Sequence, residues 1–202
     1  PDTDVWNKQI PKMLEDSWST IRLDAKRISV FCYPGAPLQK WLEDLGAMQE
    51  NFDIVLTHGH AELLNLASGK PMSLPSNIQL ISIPFVSQDE YDWVLRQCDL
   101  NIVRGEDSFI RAQLAGKPFI WHIYPQKDGA HETKLAAFLD LYLEGASQNL
   151  RLDVIAAMTW ALPKEWISSL EEWSIHSQAW RVLLIKKQAD GGLPTRLLRF
   201  VT

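Results

Sequence analysis

The chain has few of the features that mark secreted, membrane or nucleic-acid-binding proteins. It contains two cysteines, and Cys32 and Cys98 both lie inside apolar segments, which indicates buried thiols rather than a disulfide framework. No apolar run approaches the roughly 20 residues that span a bilayer, and the sequence has no signal peptide. Acidic residues outnumber basic ones, 25 to 20, and no basic run occurs, which argues against nucleic acid. We therefore expect a cytoplasmic protein that binds neither membrane nor nucleic acid.

Apolar residues, in contrast, are plentiful. They make up 46% of the 202 residues, enough to bury a substantial core in one domain. Four of the nine tryptophans lie near the C-terminal end: Trp160, Trp166, Trp173 and Trp180. Aromatic residues at this density predict core and interdomain packing. The chain begins with Pro1 rather than Met, and we expect it to be part of a longer protein.

Strand-like and helix-like segments alternate along most of the sequence. Short apolar runs bounded by turn residues predict strands at 28–33, 52–57, 78–86, 100–103 and 119–123. Helical spacing predicts helices at 38–48, 61–67, 88–98, 108–115 and 131–144. This order predicts a Rossmann-like α/β fold, a doubly wound parallel sheet of about five strands with helices on both faces. We assign residues 1–26 to a linker or peripheral helix, 27–148 to a nucleotide-sugar-binding domain and 149–202 to a helical C-terminal segment.

The loops that follow the predicted strands converge on one edge of such a sheet. Ligands of doubly wound sheets bind outside the carboxyl ends of the strands, which here are followed by Tyr33, 57–60, 85–88, 104–108 and 124–126. In the fourth loop, Gly105 permits a tight turn before a helix whose first amides suit a diphosphate. An ordinary strand-to-helix turn with Asp107 or Ser108 as N-cap is the alternative. The residues themselves leave both readings open.

A long motif resembles one family closely. Residues 103–126 read VRGEDSF-x-RAQ-x-AGKPF-x-WHIYPQ, and HE-x-KL-x-AFL follows at 131–139. Upstream, FCY at 31–33 and PFVSQDEYDWVLRQCDLN at 84–101 fit in the same order. The motif is similar to that of the protein-arginine rhamnosyltransferase of bacterial elongation factor P, from about Ile28 to the C-terminus. That resemblance implies the donor-binding, C-terminal half of a two-domain enzyme of glycosyltransferase-B architecture, without its N-terminal domain.

The resemblance also implies a reaction and its residues. The family transfers L-rhamnose from dTDP-β-L-rhamnose to an arginine of elongation factor P, inverting the anomeric centre without a metal or other cofactor. Glu106 would be the catalytic carboxylate that orients or polarises the acceptor guanidinium, whose high pKa makes it a poor nucleophile. The general base lies in the missing domain, so this chain alone should not turn over. The donor-binding residues would be Phe31, Tyr33, Phe85, Gln88, Tyr91, Asp107, Ser108, Tyr124 and Gln126.

Several neighbouring side chains have competing interpretations. Arg104 and Arg111 could bind phosphate, but salt bridges to Glu106, Asp107 or Asp99 that hold the loop are as plausible, so neither arginine is assigned to the site. His58 and His60 lack a third ligand nearby in sequence, and no metal is predicted. His131 is expected to cap a helix or face the loop, and His122 to be packed. The 197–201 segment is expected to dock on the missing domain.

The sequence is also compatible with two other functions. One is a non-catalytic module that binds a nucleotide or a protein partner at the same edge of the sheet. The other is a different sugar-nucleotide enzyme of the same architecture, such as an epimerase. Glu106 discriminates against the simple nucleotide binder, because a carboxylate beside a diphosphate only weakens its binding.

Overall fold

A computed structural model of the chain describes residues 9–57, 74–162 and 166–189. The strands are β1 (Ala25–Val30), β2 (Asn51–Leu56), β3 (Ile78–Ser82), β4 (Leu100–Arg104) and β5 (Phe119–His122). The α-helices are α1 (Glu15–Trp18), α2 (Leu38–Gly46), α3 (Gln88–Gln97), α4 (Asp107–Ala115), α5 (Ala130–Tyr142), α6 (Gln148–Met158) and α7 (Trp166–Ala189), with a 3₁₀ turn at Lys12–Leu14 before α1. The predicted helix at 61–67, both residues of the His58/His60 pair and the 197–201 segment lie outside the described residues.

The five strands form one parallel sheet in the order β3-β2-β1-β4-β5. The chain runs outward from β1 to β3, then returns through α3 to β4 on the other side of β1. The strand order therefore reverses between β1 and β4, where the loops that leave these two strands diverge and open a crevice. The predicted fold class, a doubly wound parallel sheet covered by helices, is confirmed.

Strand boundaries differ from the prediction by one to four residues, and the largest differences are in β1 and β3. β1 begins at Ala25, three residues early, because its polar first residues pair with β2 from Ala25–Asn51 onward. β3 ends at Ser82 rather than at residue 86, because its partner β2 ends at Leu56, opposite Ser82. Pro84 also lacks the N–H that a longer ladder would need. The residues after Ser82 are thereby released into a loop.

Helices bury both faces of the sheet. Successive residues of β2 point to opposite sides: Ile54 packs in the larger buried cluster and Val55 in the smaller one. The smaller cluster is closed by Trp18 of α1, whose ring lies 4.7 Å from that of Trp93 in α3, centroid to centroid. Cys32 and Cys98 are buried free thiols, as predicted.

The two C-terminal helices pack into the same core as the sheet. Trp166, Trp173 and Trp180 are all buried, which confirms the predicted core role of these tryptophans. Trp173 donates its indole N–H to the hydroxyl of Tyr142 at 3.0 Å. Among the described residues, no helix is long and apolar enough to cross a membrane.

Candidate functional site

The site lies at the crevice between the carboxyl ends of β1 and β4. Ser87 begins α3 with a capping box: its hydroxyl accepts from the Glu90 N–H, and the Glu90 carboxylate accepts from the Ser87 N–H. Such a cap fixes the direction in which a helix leaves its loop. It places Gln88 and Tyr91, in the first turn of α3, beside the loops from β1 and β4.

Two pockets open side by side along this crevice. The first, of about 310 Å³, is lined by Phe31, Thr57, Pro84, Phe85, Val86, Ser87, Gln88, Tyr91, Asp107 and Arg111. The second, of about 290 Å³, is lined by Tyr33, Gly105, Glu106, Trp121, Ile123, Tyr124, Gln126, His131 and Lys134. The first is largely apolar and aromatic, and the second carries more polar and charged groups.

Nine of the ten predicted site residues line one of these pockets. Phe31, Phe85, Gln88, Tyr91 and Asp107 line the first, and Tyr33, Glu106, Tyr124 and Gln126 line the second. Ser108 lines neither. The sequence therefore predicted most of the residues that surround the crevice. Their contacts with a ligand remain a prediction.

Arg104, the last residue of β4, lies against one aromatic ring of each pocket, although it lines neither pocket itself. Its guanidinium carbon is 4.2 Å from the ring centroid of Phe31, in the first pocket, and 5.1 Å from that of Tyr33, in the second. Its Nη1 donates to the Cys32 carbonyl at 3.1 Å. Within the described part of the chain, it forms no salt bridge with a carboxylate. Of the two interpretations of Arg104, the loop-holding ion pair is therefore wrong, and phosphate binding stays a prediction.

The sequence did not assign Arg104 to the site, because nearby carboxylates could form a salt bridge with it. Its position was still a usable signal, since it ends the strand that borders the reversal of strand order. A cation at such a strand end faces the ligand crevice of this fold.

Exposed aromatic rings border both pockets. Phe85 is 81% exposed and Tyr124 is 62% exposed, values that leave most of each ring free to stack on a planar ligand. Tyr33 packs edge-on against Tyr124, with the ring centroids 5.3 Å apart. In the other pocket, Phe31 and Tyr91 meet edge-on at 6.0 Å.

The N-terminus of α4 supplies free amides between the two pockets. The first intrahelical bond of α4 runs from the Ile110 N–H to the Glu106 carbonyl, so the amides of the preceding turn have no helical partner. Glu106 is the N-cap and forms no side-chain cap, which makes the alternative of Asp107 or Ser108 as N-cap wrong. Gly105 turns the chain at φ +64°, and a Cβ here would lie 3.3 Å from the Tyr33 hydroxyl.

The Ser108 hydroxyl bonds to the chain rather than facing a pocket. It is buried, accepts from the Arg104 N–H at 3.1 Å and donates to the Arg104 carbonyl. A phosphate contact by this hydroxyl remains a prediction, and it would require the hydroxyl to give up the bonds that close the loop. The Ser108 backbone N–H could bind a phosphate without breaking these bonds.

Glu106 and Asp107 differ in surroundings although they are adjacent. Glu106 faces the second pocket and pairs with Lys134 at 3.1 Å; both side chains are mostly exposed. Such a pair contributes about 1 kcal/mol or less, so an incoming cation can replace the lysine at little cost. Asp107 instead pairs with Arg111 at 2.9 Å, and Arg111 also pairs with Asp92 at 3.1 Å. These bonds raise the pKa of Arg111 and confirm its expected loop-holding role.

Two histidines organise the loop after β5. His131 Nδ1 accepts the Gln126 N–H at 3.1 Å, so it faces the loop as expected. His122 is half-buried, and its Nδ1 accepts the Tyr33 N–H at 3.1 Å. Burial, and secondarily the charge of Arg104, lower the pKa of His122. No cluster of three or more potential metal ligands occurs within the described ranges; because His58 and His60 fall outside them, metal independence stays a prediction.

A sequence profile of the elongation factor P (EF-P) rhamnosyltransferase EarP matches residues 4–202. The chain belongs to the EarP family. It is 35% identical over 178 residues to the protein-arginine rhamnosyltransferase of Pseudomonas aeruginosa, covering 79% of this chain and 46% of that protein. To the enzyme of the same name from Pseudomonas putida it is 33% identical over 185 residues, covering 86% and 49%.

A solved structure supports the same family. It is described as the structural basis for EarP-mediated arginine glycosylation of translation elongation factor EF-P, and it superposes with a TM-score of 0.74 at 29% identity. The superposition covers 94% of this chain and 64% of that chain. The family resemblance predicted from the 103–126 motif is thus confirmed, and the chain spans about half the length of the two Pseudomonas relatives.

The Tyr91 hydroxyl gives a prediction about how this family member would hold a base. It is buried, has no hydrogen-bond partner among the described residues, and burial raises its pKa. Tyr91→Phe should therefore leave nucleotide affinity within about twofold and raise the free energy of unfolding by about 1 kcal/mol, because it removes an unsatisfied buried hydroxyl. Urea denaturation and calorimetric titration measure the two effects.

Tyr142 is the matched control for this substitution. Its hydroxyl is buried, but it bonds to Ser177 at 2.8 Å and accepts from Trp173 at 3.0 Å. Tyr142→Phe should therefore destabilise the fold. A tenfold loss of nucleotide affinity in Tyr91→Phe would contradict the prediction and place the phenol on the ligand.

Proposed function

We propose that this chain is the donor-binding, C-terminal half of an inverting glycosyltransferase-B enzyme that transfers L-rhamnose from dTDP-β-L-rhamnose to an arginine of elongation factor P. The observation that carries the proposal is the pair of pockets that both border the N-terminus of α4, with Arg104 against one aromatic ring of each. A nucleotide sugar has the same arrangement: a flat base, a central dianionic diphosphate and a polar sugar.

The first pocket suits the thymine and ribose. Its aromatic rings, Phe31, Phe85 and Tyr91, offer faces and edges for a planar base, and Gln88 can satisfy a polar edge of that base. The diphosphate would lie at the junction, where the free amides of Asp107 and Ser108 point and where the helix dipole favours negative charge. Arg104 adds a full positive charge at the same place.

The sugar would then occupy the second pocket, between Tyr124, Gln126 and Glu106. The carboxylate of Glu106 is separated from the diphosphate position by the helix start and faces the pocket instead. There it would receive the cationic guanidinium of the acceptor, displacing Lys134. The amides and Arg104 would stabilise the charge that develops on the departing diphosphate.

We propose that this chain does not supply every group that the reaction needs. A guanidinium has a high pKa and needs a base to take or localise its proton; the family resemblance implies that this base is an aspartate of the N-terminal half of the enzyme. We propose that the half supplying it completes the active site, that no metal or other cofactor takes part, and that the enzyme works in the cytoplasm.

The proposal is tested by calorimetric titration of the 202-residue chain with dTDP, dTDP-L-rhamnose and UDP-glucose. We expect saturable binding of the two thymidine ligands and at least tenfold weaker binding of UDP-glucose. Transfer to elongation factor P is then assayed after adding the half of the Pseudomonas aeruginosa relative that this chain does not match. Donor binding without transfer in the complemented enzyme would favour a non-catalytic nucleotide-binding module. Equal affinity for all three ligands would overturn the donor assignment.

A further inference from the structure

His122 has no part in the proposed chemistry, yet it connects two loops of the site. It is the last residue of β5, and β4 lies between it and β1. Its Nδ1 nevertheless reaches the Tyr33 N–H, just beyond β1, at 3.1 Å. The imidazole thus ties the loops of β1 and β5 together across the end of β4, where Arg104 pairs with His122 in the strand register.

The imidazole also fixes the ring of Tyr33. The two ring centroids are 5.4 Å apart in an edge-on arrangement, and the other side of the Tyr33 ring meets Tyr124 at 5.3 Å. Main chain and side chain of Tyr33 are therefore both held by one residue. Tyr33 in turn places its hydroxyl beside Gly105 at the turn into α4.

Trp160 packs against His122 and has a strained backbone conformation. Its ring meets the imidazole edge-on at 5.3 Å. The Trp160 backbone has φ +64° just beyond the end of α6. The Trp160 N–H donates to the Ala157 carbonyl, and the Ala161 N–H donates to the Ala156 carbonyl. Such a helix end usually has glycine at this position, because the left-handed conformation is unfavourable for a residue with a Cβ. A strained tryptophan is the kind of outlier that accompanies a functional site.

We propose that His122 is a positioning residue, held by Trp160, whose neutral Nδ1 keeps Tyr33 in the conformation that binds the sugar nucleotide. This inference rests on the proposed function, since it names the group that shapes the donor pocket. It adds a residue outside the set of ligand contacts, and it makes donor affinity depend on the protonation of one imidazole.

The charge state of His122 decides whether the contact can form. Neutral imidazole accepts at Nδ1, but imidazolium is a donor at both nitrogens and would turn an N–H toward the Tyr33 N–H. The charged or titratable groups that face it are Arg104 on β4 and the phenol of Tyr33, with Tyr124 beyond; Trp160 is uncharged. Burial and Arg104 hold the His122 pKa below its ordinary value of 6.5. Affinity should be constant above that pH and fall as the pH drops through the lower, folded-state pKa.

The opposite pH dependence of donor affinity is expected if His122 merely lies near the diphosphate. An imidazolium would then attract the bound dianion, and affinity would rise as the pH falls. The direction of the pH dependence therefore separates a positioning residue from a simple electrostatic neighbour.

The test uses dTDP-L-rhamnose, whose diphosphate does not ionise in this range, titrated into the 202-residue chain at about pH 8 and at the lowest pH at which circular dichroism shows the chain to be folded. His122→Leu removes the acceptor and should weaken binding roughly tenfold at the higher pH, as expected for one unmade hydrogen bond. His122→Asn places its Oδ1 where Nδ1 was, so it should restore affinity to within about threefold of the parent chain. It should also abolish the loss of affinity at low pH, because an amide does not titrate.

Two results would overturn the inference alone: equal affinity of His122→Leu and the parent chain, or the same pH dependence in the parent chain and His122→Asn. The second comparison stands even if His122→Leu folds poorly, which circular dichroism would reveal. A parent chain that binds no nucleotide sugar at either pH would overturn the proposed function as well. Binding by the parent chain with no effect of the substitutions leaves the proposed function intact and removes only His122.

Discussion

Replacing Glu106 with glutamine is expected to lower the transfer rate at least about 100-fold, the scale of loss for a group that stabilises charge in the transition state. Glutamine keeps the shape and the hydrogen-bonding oxygen of glutamate, but it cannot neutralise a guanidinium. Donor affinity should change less than about threefold, because Glu106 faces the second pocket and its side chain is 79% exposed. The effect should therefore appear in kcat rather than in donor binding.

The rate is measured by transfer to elongation factor P after adding the half of the Pseudomonas aeruginosa relative that this chain does not match, and the affinity by titration of this chain alone. Glu144→Gln is the matched control, since Glu144 is an exposed glutamate just beyond the end of α5 and lines neither pocket. Unchanged transfer in Glu106→Gln would contradict a catalytic role. A large gain in donor affinity would instead identify Glu106 as a carboxylate that repels the diphosphate, as in a simple nucleotide binder.

Replacing Arg104 with methionine is expected to weaken the binding of dTDP by about 2 to 3 kcal/mol, the upper part of the range for hydrogen bonds to charged groups. This corresponds to a roughly 30- to 160-fold rise in Kd. Methionine retains the apolar contact with Phe31 and Tyr33 but removes the charge at the junction of the pockets. The difference between the two chains should shrink as salt is added, since screening weakens the lost interaction.

Arg151→Met is the matched control for Arg104→Met. The Arg151 guanidinium also donates to a backbone carbonyl, that of Leu143, at 3.0 Å, but Arg151 lies on α6, outside the loops that carry the two pockets. Its replacement should leave the Kd unchanged, while Arg104→Lys should recover part of the affinity because it restores the charge without the planar fork. An unaltered Kd in Arg104→Met would place the diphosphate elsewhere.

The sequence predicted the sheet and the edge that carries the site, because buried parallel strands are nearly continuous apolar runs. All five predicted strands occur. The boundaries were less predictable, since a strand ends where its partner ends: β3 ends opposite Leu56 of β2 although its apolar residues continue. Pairing between distant segments is not a local property of the sequence.

The division of the site between two pockets could not be predicted either. It depends on the direction of one side chain, Arg104, which lies between two rings rather than against a nearby acid. It also depends on Ser108, whose hydroxyl bonds back to Arg104 instead of facing outward. In both cases several partners were available in the sequence, and the packed structure selected one.

The loop from Arg104 to Asp107 is constrained in length as well as in composition. Each helical residue turns by about 100° from the one before, and consecutive residues here serve different pockets: Glu106 one, Asp107 the other. Inserting or deleting a single residue before α4 would exchange or misdirect these carboxylates and move Gly105 from its left-handed turn. We therefore expect the number of residues between β4 and α4 to stay fixed as the family diverges.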